Sequence, residues 1–115
     1  MLFDSALLVL GYALIFMSAW PALHFSKVGQ LAYLPANPRI TLNVSVVTAG
    51  IGIVGLVVAI FIPTISTWAI PIAFFVGGPL GGDLGIRYAR SIGNYLVLHL
   101  LGFGGTVLAG IAVVW

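Results

Sequence analysis

From Ile40 to Gly82 the chain carries no charged side chain over 43 consecutive residues, and that run decides which solvent the protein can fold in. As a single helix it would be about 65 Å long, roughly twice the ~30 Å hydrocarbon core of a bilayer. Two crossings fit it better than one. Pro63 with Thr64 and Ser66 supplies turn chemistry near the middle, so the pattern predicts helices over 40–62 and 65–81.

The flanking segments extend the reading. Residues 2–25 form an apolar run whose one charge is Asp4, long enough to cross a bilayer. Met1, Leu2, Phe3 and Asp4 lack the basic n-region of a secretory signal, so a retained helix is expected. Residues 26–39 hold Lys27, Gly29, Gln30, Pro35, Asn37, Pro38 and Arg39, which is loop chemistry; Tyr33 and Leu34 suit a headgroup-level anchor. A second basic loop is expected over 82–91, with Asp83, Arg87 and Arg90, and a final helix over 92–115 that ends on Trp115. Residues 1–115 thus read as one all-α integral membrane domain of four transmembrane helices. The third is kinked or broken by Pro71, Pro79 and its glycines.

Composition agrees. The chain is 62% hydrophobic and 5% charged, with a mean hydropathy of +1.25, which excludes a soluble globular domain and a disordered polar chain alike. Four basic residues against two acids are too few for a nucleic-acid surface. With no cysteine, thiolate catalysis and Cys-ligated metal sites are excluded. With four crossings Lys27, Arg39, Arg87 and Arg90 all fall on one side, so the positive-inside rule puts that side in the cytoplasm and both termini outside.

Helices in lipid associate through close backbone approach at small residues, so the spacing of those residues is informative. Ser45, Thr48, Gly52, Gly55 and Ala59 follow a 3, 4, 3, 4 pattern, as do Gly102, Gly105, Ala109 and Ala112 in the last helix; this is the seam of left-handed packing. Ala69, Ala73, Gly77 and Gly81 recur every fourth residue, the small-xxx-small pattern of closer crossings.

His99 stands about 10 Å into the last helix, sharing a face with Tyr95, Gly102 and Thr106. A deep histidine suits an interhelical hydrogen bond, a proton relay or an axial ligand to haem or a pigment. His24 at the inner end of the first helix is the one partner that could join it on a shared cofactor. Asp83 stands four residues before Arg87, the spacing of an intrahelical ion pair. No paired-carboxylate, nucleophile-elbow or phosphate-loop motif appears, so no enzyme is expected.

Three functions follow as expectations. The first is a non-catalytic subunit that packs through glycine-rich faces against other membrane proteins. The second is a homo-oligomeric ion or small-solute channel with Asn43, Asn94, Tyr95 and Thr106 as its polar seam. The third is a haem- or pigment-binding subunit using His99 and His24. Expected partners are the lipid bilayer and other membrane proteins or copies of the chain, with no nucleic acid. Thr41, Leu42 and Asn43 with Gly77 and Gly78 resemble fragments of the small fluoride channels. Pro79, Leu80, Gly81, Gly82 and Asp83 stand where that family has a Phe, Ser and Thr run, so membership is not assigned.

Overall fold

The computed structural model describes residues 2–29, 38–92 and 95–114, and every regular element among them is helical. In chain order these are α1 (Leu2–Val28), α2 (Pro38–Ala59), α3 (Ala69–Ile72), a π-helical turn (Ala73–Gly77), α4 (Gly78–Ser91) and α5 (Tyr95–Val114). The short α3, the π turn and α4 run end to end as one span, Ala69–Ser91. The protein is therefore a four-helix bundle, and each of its four spans is long and apolar enough to cross a membrane.

The third span corrects the boundaries drawn from sequence. Residues 82–91, expected as a basic loop, are the last turns of α4, and the third helix starts at Ala69 rather than near residue 65. The glycines that look like breakers are points of contact with α1. A Cβ on Gly81 would overlap the carbonyl oxygen of Ala13, and one on Gly85 that of Met17. Asp83 and Arg87 form the expected ion pair, Oδ2 to Nε at 3.0 Å, one turn apart on a helix. The chain turns instead after Ser91, where the Ile92 N–H donates to the Tyr88 carbonyl at 2.8 Å; the last helix begins at Tyr95.

Two prolines lie within this span without ending it. Each removes one backbone donor and crowds the preceding turn. Between them the helix widens by one residue, with the Gly78 N–H donating to the Ala73 carbonyl five positions back, and this wide turn accommodates the Pro79 ring. The expected kink is thus a π turn in a continuous span.

Direction follows from the contacts. Gly77, Gly81 and Gly85 meet α1 at Val9, Ala13 and Met17 in that order, so the third span runs parallel to α1. Gly105 meets Gly11 and Gly102 meets Ser18, so α5 runs antiparallel; Thr48 lies at the level of Ser18 whereas Gly52 meets Ile15 and Tyr12, so α2 is antiparallel to α1 as well and shares the direction of α5. Lys27, Arg39, Arg87 and Arg90 consequently share one end of the bundle, and the Arg90 guanidinium lies 5.9 Å from the Phe25 ring centroid there. At the opposite end the Ser66 N–H donates to Ser5 Oγ at 2.9 Å.

The central element is α1, against which all three other spans pack. Its buried share is 44%, against 22% for α2, because small residues lie on several of its faces. Gly11, Ser18 and Ala22 allow α5 close, and Ala13 admits the third span. Large apolar side chains such as Leu10, Val54, Phe75, Leu100 and Phe103 project outward around the whole bundle.

Candidate functional site

The three stripes of small residues have different fates. On the third span Ala69, Ala73, Gly77 and Gly81 are all buried, and the stripe continues through Gly85 to Ala89. The continuation escapes sequence reasoning because it lies beyond the expected end of the helix. On α5 Gly102, Gly105, Ala109 and Ala112 are buried as well. Here the backbones nearly touch: a Cβ on Gly11 would lie 2.7 Å from the Gly105 oxygen, and one on Gly105 2.6 Å from the Gly11 oxygen. Both stripes face α1.

The stripe on α2 is only partly used. Ser45, Gly52 and Ala59 are buried and Thr48 reaches α5, but Gly55 has nothing within 4 Å of where its Cβ would stand. Gly55, expected on the packing seam of α2, therefore has no other helix packed over it among the described residues. It opens with Gly50 and Gly110 onto an outward groove of about 520 Å³ between α2 and α5. The 100° step per residue sends Gly55 off the line of Gly52 and Ala59.

Polar groups gather where α1, α2 and α5 meet. A Cβ on Gly102 would collide with Ser18 Oγ and lie 3.3 Å from Thr48 Cγ2, so these three residues touch. His99 and Ser45 each lie three residues, roughly 4.5 Å, closer to the basic end on parallel helices. Ser18 Oγ, Ser45 Oγ and His99 Nδ1 are buried with no hydrogen-bond partner among the described residues. The Tyr95 ring lies beside His99, centroids 6.5 Å apart.

The two histidines are not brought together. His24 belongs to the side of α1 that carries Trp20, whose ring is 6.2 Å away and covers Gly82 of α4. Ser18, which marks the side facing α5, is about 120° away around the helix. Among the described residues no group of three or more His, Cys, Asp or Glu could hold a metal.

The expected polar seam is dispersed. Asn43 is exposed on the outside of α2 and Tyr95 is buried at the start of α5. The Thr106 hydroxyl donates to the Gly102 carbonyl of its own helix at 2.9 Å, as Thr48 does to Val44 at 2.8 Å, so neither is unsatisfied. Asn94, Trp115, Tyr33 and Leu34 lie outside the described residues.

A second groove, about 500 Å³, separates α2 from the third span. Its floor is Tyr12, Phe16 and Trp20 of α1, its walls include Ile53, Phe74 and Phe75, and it ends beside Asp83 and Ile86. Tyr12 and Phe16 stack with centroids 4.7 Å apart. No protein-family model, curated protein or solved structure matches this chain, so the short likeness to fluoride channels remains one of fragments.

Proposed function

We propose that this chain is a multi-pass membrane protein acting as a non-catalytic subunit, which binds the helices of other membrane proteins through the open face of α2 and α5. The observation carrying this reading is the pairing of Gly50 and Gly55 with Gly110 in one outward groove, none with a neighbour within 4 Å. Glycine costs about 1 kcal/mol relative to alanine in a helix interior. At Gly81 and Gly105 close approach to α1 offsets that cost; at the open positions only an outside helix would do so. The exposed surface is otherwise large and apolar on all sides, and its one basic end faces the cytoplasm by the positive-inside rule.

Native mass spectrometry of gently solubilised source membrane tests the proposal. The expected result is this 12.1 kDa chain in fixed ratio with different polypeptides, lost in the Gly50→Leu, Gly110→Leu double variant, whose side chains enter open space. Only integer multiples of the chain's own mass would refute the subunit reading and favour a homo-oligomer. Flux that disappears on Asn43→Ala would then identify a channel.

A further inference from the structure

We infer that the outer face of α4 is an interface with a second copy of this chain, across which Asp83 of each copy pairs with Arg87 of the other. No residue of the third span lines the groove between α2 and α5, so this interface stands or falls apart from the subunit reading.

Depth sets the pair apart. Gly77, Gly81 and Gly85 meet α1 at Val9, Ala13 and Met17, so Asp83 lies level with about Ile15, the middle of Leu2–Val28. About 18 Å of helix separates that level from Lys27, against about 15 Å for half the hydrocarbon core. Asp83 therefore stands deep in the core and not at the headgroup level. Its side chain is nevertheless 56% exposed, and that of Arg87 75%. Ionisable groups at such depth almost always face protein or a water-filled cavity rather than lipid. The cleft beside Asp83 is walled by apolar and aromatic side chains such as Ile53, Phe74 and Phe75, so the cover that suits the pair is another protein surface.

The face around the pair has the pattern of a helix contact. Leu80, Asp83, Leu84, Arg87 and Ser91 are all exposed and recur at three- and four-residue spacing, which places them on one side of the helix. That side lies opposite Gly81, Gly85 and Ala89, which are buried. Leu80 and Leu84 supply apolar contact beside the charges, and polar side chains that hydrogen-bond across helices hold such contacts together in lipid.

Charge selects the occupant. With one acid and one base a turn apart, the face is its own complement. Every copy inserts with its basic end toward the cytoplasm, so two α4 helices meet in parallel about a two-fold axis along the membrane normal. Such an axis makes the contact reciprocal and sets each residue at the height of its counterpart. Helical side chains lean toward the N-terminus, and Arg87 does so here, its Nε 3.0 Å from Asp83 Oδ2. The guanidinium therefore stands at the height of both copies' Asp83. Its Nε can keep the carboxylate of its own chain while the terminal nitrogens bond that of the second copy, and the four charges close into a neutral ring. Lipid offers no such partner in mid-core, and a helix of unlike sequence would need its own acid and base at that same depth.

Oxidative cross-linking of the full chain in its native membrane tests this, because the chain has no cysteine of its own. Leu80→Cys or Leu84→Cys should give a disulfide-linked species of twice the chain mass, whereas Val54→Cys, on the groove between α2 and α5, should not. Asp83→Arg and Arg87→Asp, each added to the cross-linking variant, should each lower the linked fraction roughly tenfold, the effect of losing two interhelical polar contacts related by the axis. Expressed together, the two reversals present a pair of bases to a pair of acids and should restore the link as a mixed dimer. A pair that acted only within one helix would give no such rescue. Where a reversal fails to insert, Asp83→Asn and Arg87→Gln give a milder second reading and should also weaken the dimer. No link at residue 80 or 84, a link only to different polypeptides or only through Val54→Cys, a dimer unchanged in Asp83→Asn and Arg87→Gln, or inserted reversals without rescue would overturn the proposal. The Gly50→Leu, Gly110→Leu variant should keep the link, which separates failure here from failure of the subunit reading.

Discussion

Replacing Gly81 with alanine should destabilise the bundle, although alanine is the better helix former by about 1 kcal/mol. The new methyl would overlap the carbonyl oxygen of Ala13, with the carbonyl carbon at 2.9 Å and the Cα at 3.1 Å. All three atoms are backbone of the central helix, so no rotamer change relieves the clash. The third span must instead back away from α1, and a gap of 0.5–1 Å forfeits about a quarter to a half of each dispersion contact it opens. Overpacking of this kind costs about 1–3 kcal/mol. Because Gly77, Gly85 and Ala89 lie along the same stripe, the loss propagates to their contacts and exceeds the propensity gain. A net destabilisation of about 1–2 kcal/mol is expected. Gly50→Ala is the control: nothing lies within 4 Å of its Cβ position, so it should leave the isolated chain unchanged or up to about 1 kcal/mol more stable. Reversible unfolding in mixed micelles, followed by circular dichroism, measures both. Gly81→Ala as stable as the wild type, or Gly50→Ala equally destabilised, would refute the assignment of the two glycine classes.

At the end opposite the basic residues, Ser5→Ala should leave the part-buried Ser66 N–H without its acceptor and cost about 1 kcal/mol. Faster amide exchange at Ser66 checks it, and unchanged exchange would show that the contact contributes nothing. The natural chain has no cysteine, so single-cysteine labelling in oriented membranes is clean. Lys27→Cys and Arg90→Cys should react from the cytoplasmic face and Thr64→Cys from the other, whereas labelling of Lys27→Cys and Arg90→Cys from opposite faces would break the four-span topology.

Much of the fold is legible locally. Long apolar runs leave few options where no water is available to satisfy an open backbone, and the one-sided placement of Lys27, Arg39, Arg87 and Arg90 follows from counting crossings. The site is less legible. Gly81, Gly82 and Gly85 carry the same local signal whether they soften a loop or admit a neighbouring helix. The deciding contacts, with Ala13, Trp20 and Met17 respectively, come from more than 60 residues earlier in the chain. His99 and His24 likewise share a residue type but not a side of the bundle.

The sequence alone thus determined the bilayer as solvent, the number of spans and their alternating direction, since these depend on hydropathy and charge summed along the chain. It also determined that small residues would form stripes, because that requires only helical periodicity. Tertiary structure decided which stripes are closed and which remain open, that α1 is the central helix, and that α4 continues to Ser91. Those outcomes depend on backbone atoms of separate helices approaching to van der Waals distance, and a local residue pattern specifies that a close approach is possible without specifying to what.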